Sequence, residues 1–216
     1  MLNLFQHLVG FFLLSADASF IPVPAYRRQA QEGAFRCDFN KWFKVSMSIK
    51  EILLLGNPKL YEISEPLKRE ELPALAPIIQ DLHDTLIHFR EQHGAGRAIA
   101  AVQIGVMKRL IYMHIDRPII FINPVLDQKS EKMIAIWDDC ICFPDLLVKV
   151  ERHRSCRIAY RDMEWEERTI MLEGDLSELL QHECDHLDGI LAVSRAIDPF
   201  SFALKSQKKF YHAKSV

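Results

Sequence analysis

The chain lacks an apolar run long enough to span a bilayer. Its apolar stretch at residues 8–14 is well short of the roughly 20 residues that a membrane-crossing helix needs. No positive charge precedes that stretch, so it makes a poor signal peptide even though Ala16-Asp17-Ala18 has the small-residue form of a cleavage site. Paired cysteines are lacking too. The five present, Cys37, Cys140, Cys142, Cys156 and Cys184, are odd in number and have no Cys-x-x-Cys spacing, which excludes a disulfide framework and a zinc knuckle. A reducing compartment, taken to be the cytoplasm, is therefore expected. No charge sign dominates: 27 basic residues against 29 acidic ones give a net charge of −2, so neither DNA nor a membrane is an expected partner. Internal repeats, a phosphate-binding glycine loop and low-complexity segments are absent from the sequence. With 49% hydrophobic content over 216 residues, one folded domain is the default.

What is present is concentrated in His182-Glu183-Cys184-Asp185-His186. Two histidines four residues apart on a helix lie one turn above each other on one face, where both rings can converge on a metal ion. Glu183, rotated about 100° from His182 around the helix, is placed as a base for water that the metal has made acidic. Asp175 is expected to cap the amino end, with Glu178 answering it as a capping box and Gly189 as the stop. Leu176, Leu179, Leu180 and Leu187 give this helix enough apolar surface to be buried.

A hydrolytic metal site needs three protein ligands and an open position. The long metzincin motif would put its last ligand at position 192, which is Ala192, and no glutamate follows Glu183 to complete a thermolysin-like set. Asp198 and His212 remain as downstream candidates, and Cys140 is an upstream one that offers a thiolate.

Three ordered segments, Gly96-Arg97-Ala98-Ile99-Ala100-Ala101-Val102-Gln103-Ile104-Gly105, Asp138-Asp139-Cys140-Ile141-Cys142 and the His-Glu-x-Asp-His run, resemble the motifs of the peptide deformylase family over roughly residues 49–198. The resemblance implies an α+β fold in which small antiparallel sheets surround the helix carrying the metal. It implies Cys140, His182 and His186 as ligands of one divalent ion, natively Fe2+, with Zn2+, Ni2+ or Co2+ as substitutes. It makes Glu183 the general base and acid, and Gln103 with the Ile141 backbone N–H the donors to the developing oxyanion. The implied substrate is the N-formyl group on the initiator methionine of nascent chains, released as formate. Three departures stand out: Asp138-Asp139 replaces Glu-Gly, Ala98 replaces a glycine, and Cys142 replaces serine. Asp139 brings a carboxylate close to the metal, where it favours the cation and opposes hydroxide. Asp138 is matched with Arg152, and Cys142 is read as structural, facing away from Cys140. Another metal amidohydrolase or peptidase with a different acyl substrate, and a metal-binding relative without turnover, stay open as alternatives.

The chain divides into an N-terminal extension over 1–46, a catalytic domain over 47–198 starting at Met47, and a basic tail over 199–216. The extension is a targeting segment or an upstream addition. The tail holds four lysines and no acid, a composition suited to phosphate contacts with the ribosome. Apolar spacing predicts a scaffold helix over 75–93 ended by Gly94. His83, His88 and His93 on it are read as ordinary surface or core residues. Runs rich in Ile, Val and Tyr at 109–115, 119–122, 146–150, 156–160 and 168–172 predict antiparallel strands.

Overall fold

The 3.6-residue apolar period of residues 75–93 becomes helix α1 (Leu75–His93), whose Leu75, Ile79, Leu82, Leu86 and Phe89 are buried. The structure, a computed structural model, describes residues 48–210. Helix α1 stops where Gly94 takes φ +65° as a left-handed cap. Five strands form one antiparallel sheet in the order β1 (Ala98–Ala100), β2 (Leu110–His114), β3 (Pro118–Asp127), β6 (Ser155–Arg161), β7 (Glu167–Glu173). A second antiparallel sheet has the order β4 (Met133–Asp139), β5 (Leu146–His153), β8 (Phe202–Leu204). Helix α2 (Asp175–Leu187) lies against β1 and β7 of the first sheet and β5 of the second, so both sheets flank it. The architecture is α+β, as expected, and each of the five anticipated strands is present.

Two apolar clusters hold these layers. One joins α1 to β1 and β2 and takes in Ile141; the other surrounds the turn after β4 with Leu60, Val148, Val150 and Leu191, and takes in Cys140, Cys142 and Phe143. The turn is thus anchored on both sides.

Three expectations are corrected. The basic tail was drawn from residue 199, yet Leu146, Leu147 and Val148 pair with Leu204, Ala203 and Phe202, so the sheet continues beyond that boundary. Asp175 does not cap α2: Gly174, at φ +61°, occupies that place without a side-chain bond, because Asp175 and Glu178 turn instead to Arg97. Finally, Cys140 and Cys142 do not face opposite ways. They share one cluster while Ile141 enters the other, because the chain turns here, with the Phe143 N–H donating to the Cys140 carbonyl at 3.2 Å. Residues 1–47, with Met47, and residues 211–216, with His212, lie outside the described residues.

Candidate active site

Helix α2 is surrounded so closely that His182, Glu183, Cys184, Asp185 and His186 are all buried. One turn apart, the two imidazoles bring their Nε2 atoms within 3.1 Å. Cys140, at the end of β4, reaches His186 Nε2 with its Sγ at 3.2 Å. The Cys142 N–H donates to Cys140 Sγ at 3.4 Å. Among the described residues, donor atoms of Cys140, Cys142 and His186 all lie within 4.8 Å of one another; His182 joins them through the 3.1 Å contact with His186. Both histidines and Cys140 are therefore brought together, and Cys142 stands beside them unexpectedly. Asp198 is bound up in its own turn, accepting from the Phe200 N–H and Ser201 hydroxyl.

Gln103 comes from the turn after β1, and its Oε1 accepts from the Ala100 N–H at 2.8 Å. That bond fixes the amide plane so that Nε2 points inward, 3.6 Å from Cys140 Sγ, 3.4 Å from Cys142 Sγ and 3.2 Å from His186 Nε2. The segment at residues 53–55 ties both loops down: Leu53 N–H donates to the Gln103 carbonyl and Leu55 N–H to that of Cys142.

Behind His182 runs a buried chain of charges. Asp138 accepts from His182 Nδ1 at 2.9 Å and from Arg152 Nη2 at 2.9 Å, so the match of Asp138 with Arg152 expected from sequence is made. Arg152 also holds Asp185, which Arg195 grips bidentately. A carboxylate on the far nitrogen of a ligating imidazole sets its tautomer and aims the near nitrogen. Burial pushes the Asp138 carboxyl up, but His182 and Arg152 pull harder and hold it at about 2. Burial likewise opposes the His182 cation, and Asp138 overrides it, raising the group to about 9. His186, buried and beside His182, is driven well below the usual imidazole range. Burial lifts Glu183 to about 7 against the pull of His182. The Cys140 thiol is raised by burial and by Cys142, whereas Cys142 is lowered by the hydrogen bond with Cys140.

These residues suit a divalent cation. A thiol and two imidazoles are the donors that such an ion takes from protein. Glu183 Oε2 is buried without a partner among the described residues, and an unmatched carboxylate oxygen is costly unless another group meets it. The site opens into a cleft bounded by Phe89, Leu179, Ile141, Gln103, Glu183 and His182, among others.

Charged residues at the cleft escaped the sequence reading. Arg97 binds Asp175 and Glu178 at 3.2 and 3.1 Å, and Lys205 binds Asp139 at 2.8 Å. The expectation that Asp139 adds a bare carboxylate near the metal is thus revised: the group is half exposed and neutralised by Lys205. Arg97 stands inside the first motif and Asp139 inside the second, so their position was a signal; nothing in the tail marked Lys205. His83 contacts the Tyr112 hydroxyl, His88 contacts Gln92 and His93 stacks on Phe89, in keeping with scaffold roles.

The comparisons agree with this geometry. The sequence profile of the family described as polypeptide deformylase matches residues 49–200. A peptide deformylase of Rhizobium meliloti (strain 1021) is 32% identical over 153 residues, spanning 68% of this chain and 84% of the relative. Peptide deformylase 1 of Prochlorococcus marinus (strain MIT 9313) is 34% identical over 175 residues, 74% of this chain and 88% of the relative. A Met-Ala-Ser-bound class I type b peptide deformylase from Acinetobacter baumannii superposes with a TM-score of 0.64 at 26% identity, covering 69% of this chain and 99% of that one. A match over more than half the sequence, on a fold and a buried Cys-His-His constellation of this kind, shows that the chain belongs to the polypeptide deformylase family.

Proposed function

We propose that this protein is a metal-dependent hydrolase that removes the N-formyl group from the initiator methionine of nascent polypeptides, releasing formate and a free amino terminus. The observation that carries this reading is the convergence of Cys140 Sγ and the two histidine Nε2 atoms beside a buried, unpartnered Glu183 oxygen. Cys140, His182 and His186 would hold the metal, with Fe2+ as the native ion. The ion supplies an acidified water and polarises the carbonyl. Asp138, on His182 Nδ1, keeps Nε2 as the donor.

Glu183 takes the proton of the attacking water and returns it to the departing amine. Its elevated position near 7 suits both directions of transfer. Gln103, whose amide is fixed by the Ala100 N–H, donates from Nε2 to the developing oxyanion, and the Ile141 N–H is the second donor. Phe89, Leu179 and Ile141 offer the methionine side chain an apolar surface. Met-Ala-Ser, carried by the Acinetobacter relative, is the kind of peptide that this reaction leaves behind. The described cysteines are all free thiols, which supports action in the cytoplasm. Lys208 and Lys209, near the end of the described chain, support a ribosomal contact.

The test is formate release from formyl-Met-Ala, with acetyl-Met-Ala as control, in anaerobically metal-loaded protein. Formate release from the formyl peptide alone is expected. Glu183→Gln should keep near-stoichiometric metal while turnover falls by ~10² or more; loss of metal along with turnover would make Glu183 a structural residue.

A further inference from the structure

Once the formamide lies at the floor of the cleft, beside Gln103 and Glu183, the remainder of the substrate must pass along its walls. The apolar part of the wall, Phe89, Leu179 and Ile141, is limited, and the same lining holds two cations, Arg97 and Lys205, with the acids Asp139 and Glu178. Both cations are tethered by backbone. The Arg97 carbonyl accepts from the His114 N–H at 2.8 Å, and the Lys205 N–H donates to the Asp145 carbonyl at 2.8 Å.

The acids that pair with these cations are held more loosely. Asp175 is 69% exposed against 39% for Arg97, and Asp139 is 48% exposed against 29% for Lys205. An exposed pair of this sort contributes little, so either acid can turn to water and surrender its cation. Glu178, 13% exposed, stays on Arg97 Nη2. An incoming carboxylate could thus take the place of Asp175 on the guanidinium fork, the geometry in which such pairs are strongest, or that of Asp139 on Lys205.

We propose that Arg97 and Lys205 are specificity-determining residues that favour formylated chains whose second residue is acidic. The inference rests on the proposed deformylation, because that reaction puts the first residue at the apolar wall and the second at the charged rim.

The test compares formyl-Met-Glu-Ala-amide, formyl-Met-Gln-Ala-amide and formyl-Met-Lys-Ala-amide with the metal-loaded full-length protein. The glutamate peptide should exceed the glutamine peptide in kcat/KM by about tenfold, mainly through KM, and the lysine peptide should be poorest; the advantage should shrink as salt rises. In Arg97→Leu/Lys205→Leu the ratio should fall toward one, and Arg97→Lys should retain part of it. A ratio near one in the unaltered protein, a preference for lysine, or a ratio that survives the double substitution would overturn the proposal. Calorimetric binding of the same three peptides to metal-loaded Glu183→Gln separates the two readings. If no peptide yields formate, deformylation fails, while tighter binding of the glutamate peptide, lost in Arg97→Leu/Lys205→Leu, would still sustain the charged rim; equal binding of all three would overturn it.

Discussion

Asp138 is the residue on which the centre depends without touching the substrate. It joins His182 to Arg152, and both partners are buried. Asp138→Asn should lower metal affinity by about 10- to 100-fold, the usual effect of removing the carboxylate behind a ligating histidine. It should also destabilise the fold by roughly 3 kcal/mol, because Arg152 loses half of its buried compensation. Metal titration and thermal unfolding check the two effects separately; an unchanged affinity would deny Asp138 its orienting role. The same geometry sets a pH dependence. Without metal, His182 keeps its proton up to about 9 and the raised Cys140 thiol keeps its own. Below those values both protons must leave before Sγ and Nε2 can bind a cation, so metal binding releases protons and tightens as pH rises. At pH 7.5 about two protons per ion should be released, measured by calorimetry in buffers of different ionisation enthalpy; a value near zero would exclude Cys140 and His182 as ligands.

At the scale of elements, the end of α2 is fixed by Gly189. Its φ is +70°, and a Cβ built there would lie 2.5 Å from the Tyr61 carbonyl oxygen, a backbone atom that cannot swing aside. Gly189→Ala should therefore cost about 1–2 kcal/mol for the left-handed conformation alone, with the clash in addition, and appear as a fall of several degrees in the thermal midpoint. A midpoint within a degree of the original would mean that the Tyr61 segment yields. The stop at Gly189 was legible because the sequence itself carries it. The cap at the other end was not, since Asp175 and Glu178 had the correct spacing for a capping box but found a stronger partner in Arg97, 78 and 81 residues away. Strands β1 and β8, three residues each, are too short for a period to register. Strand β4 carries the start of the second motif and leaves six of its seven residues partly covered or exposed around a single buried Asp138, so its alternation is faint.

At the scale of the whole molecule, the sequence showed the α+β class and brought the three motifs into view because each is local. Relations between motifs were less visible. The Asp138–Arg152 match had only opposite charge to suggest it, and the Lys205–Asp139 pair depends on an edge strand whose own sequence gives no hint of it. Cys142 stands beside Cys140 because the chain turns directly after β4, a turn that the spacing of the two cysteines does not reveal.

The division of Cys140-Ile141-Cys142 between the two apolar clusters also bears on how the chain assembles. Gln103 lies 37 residues from Cys140 and 83 from His186, so the three segments of the centre are joined by non-local contacts. Such contacts reward a folding chain only after long loops have closed. Helix α2 can acquire its helical hydrogen bonds from local sequence, but its two imidazoles meet a thiol only when both sheets have docked around it. Metal capture is therefore a late event of folding, and a refolding chain should regain helicity before it regains the ability to hold an ion.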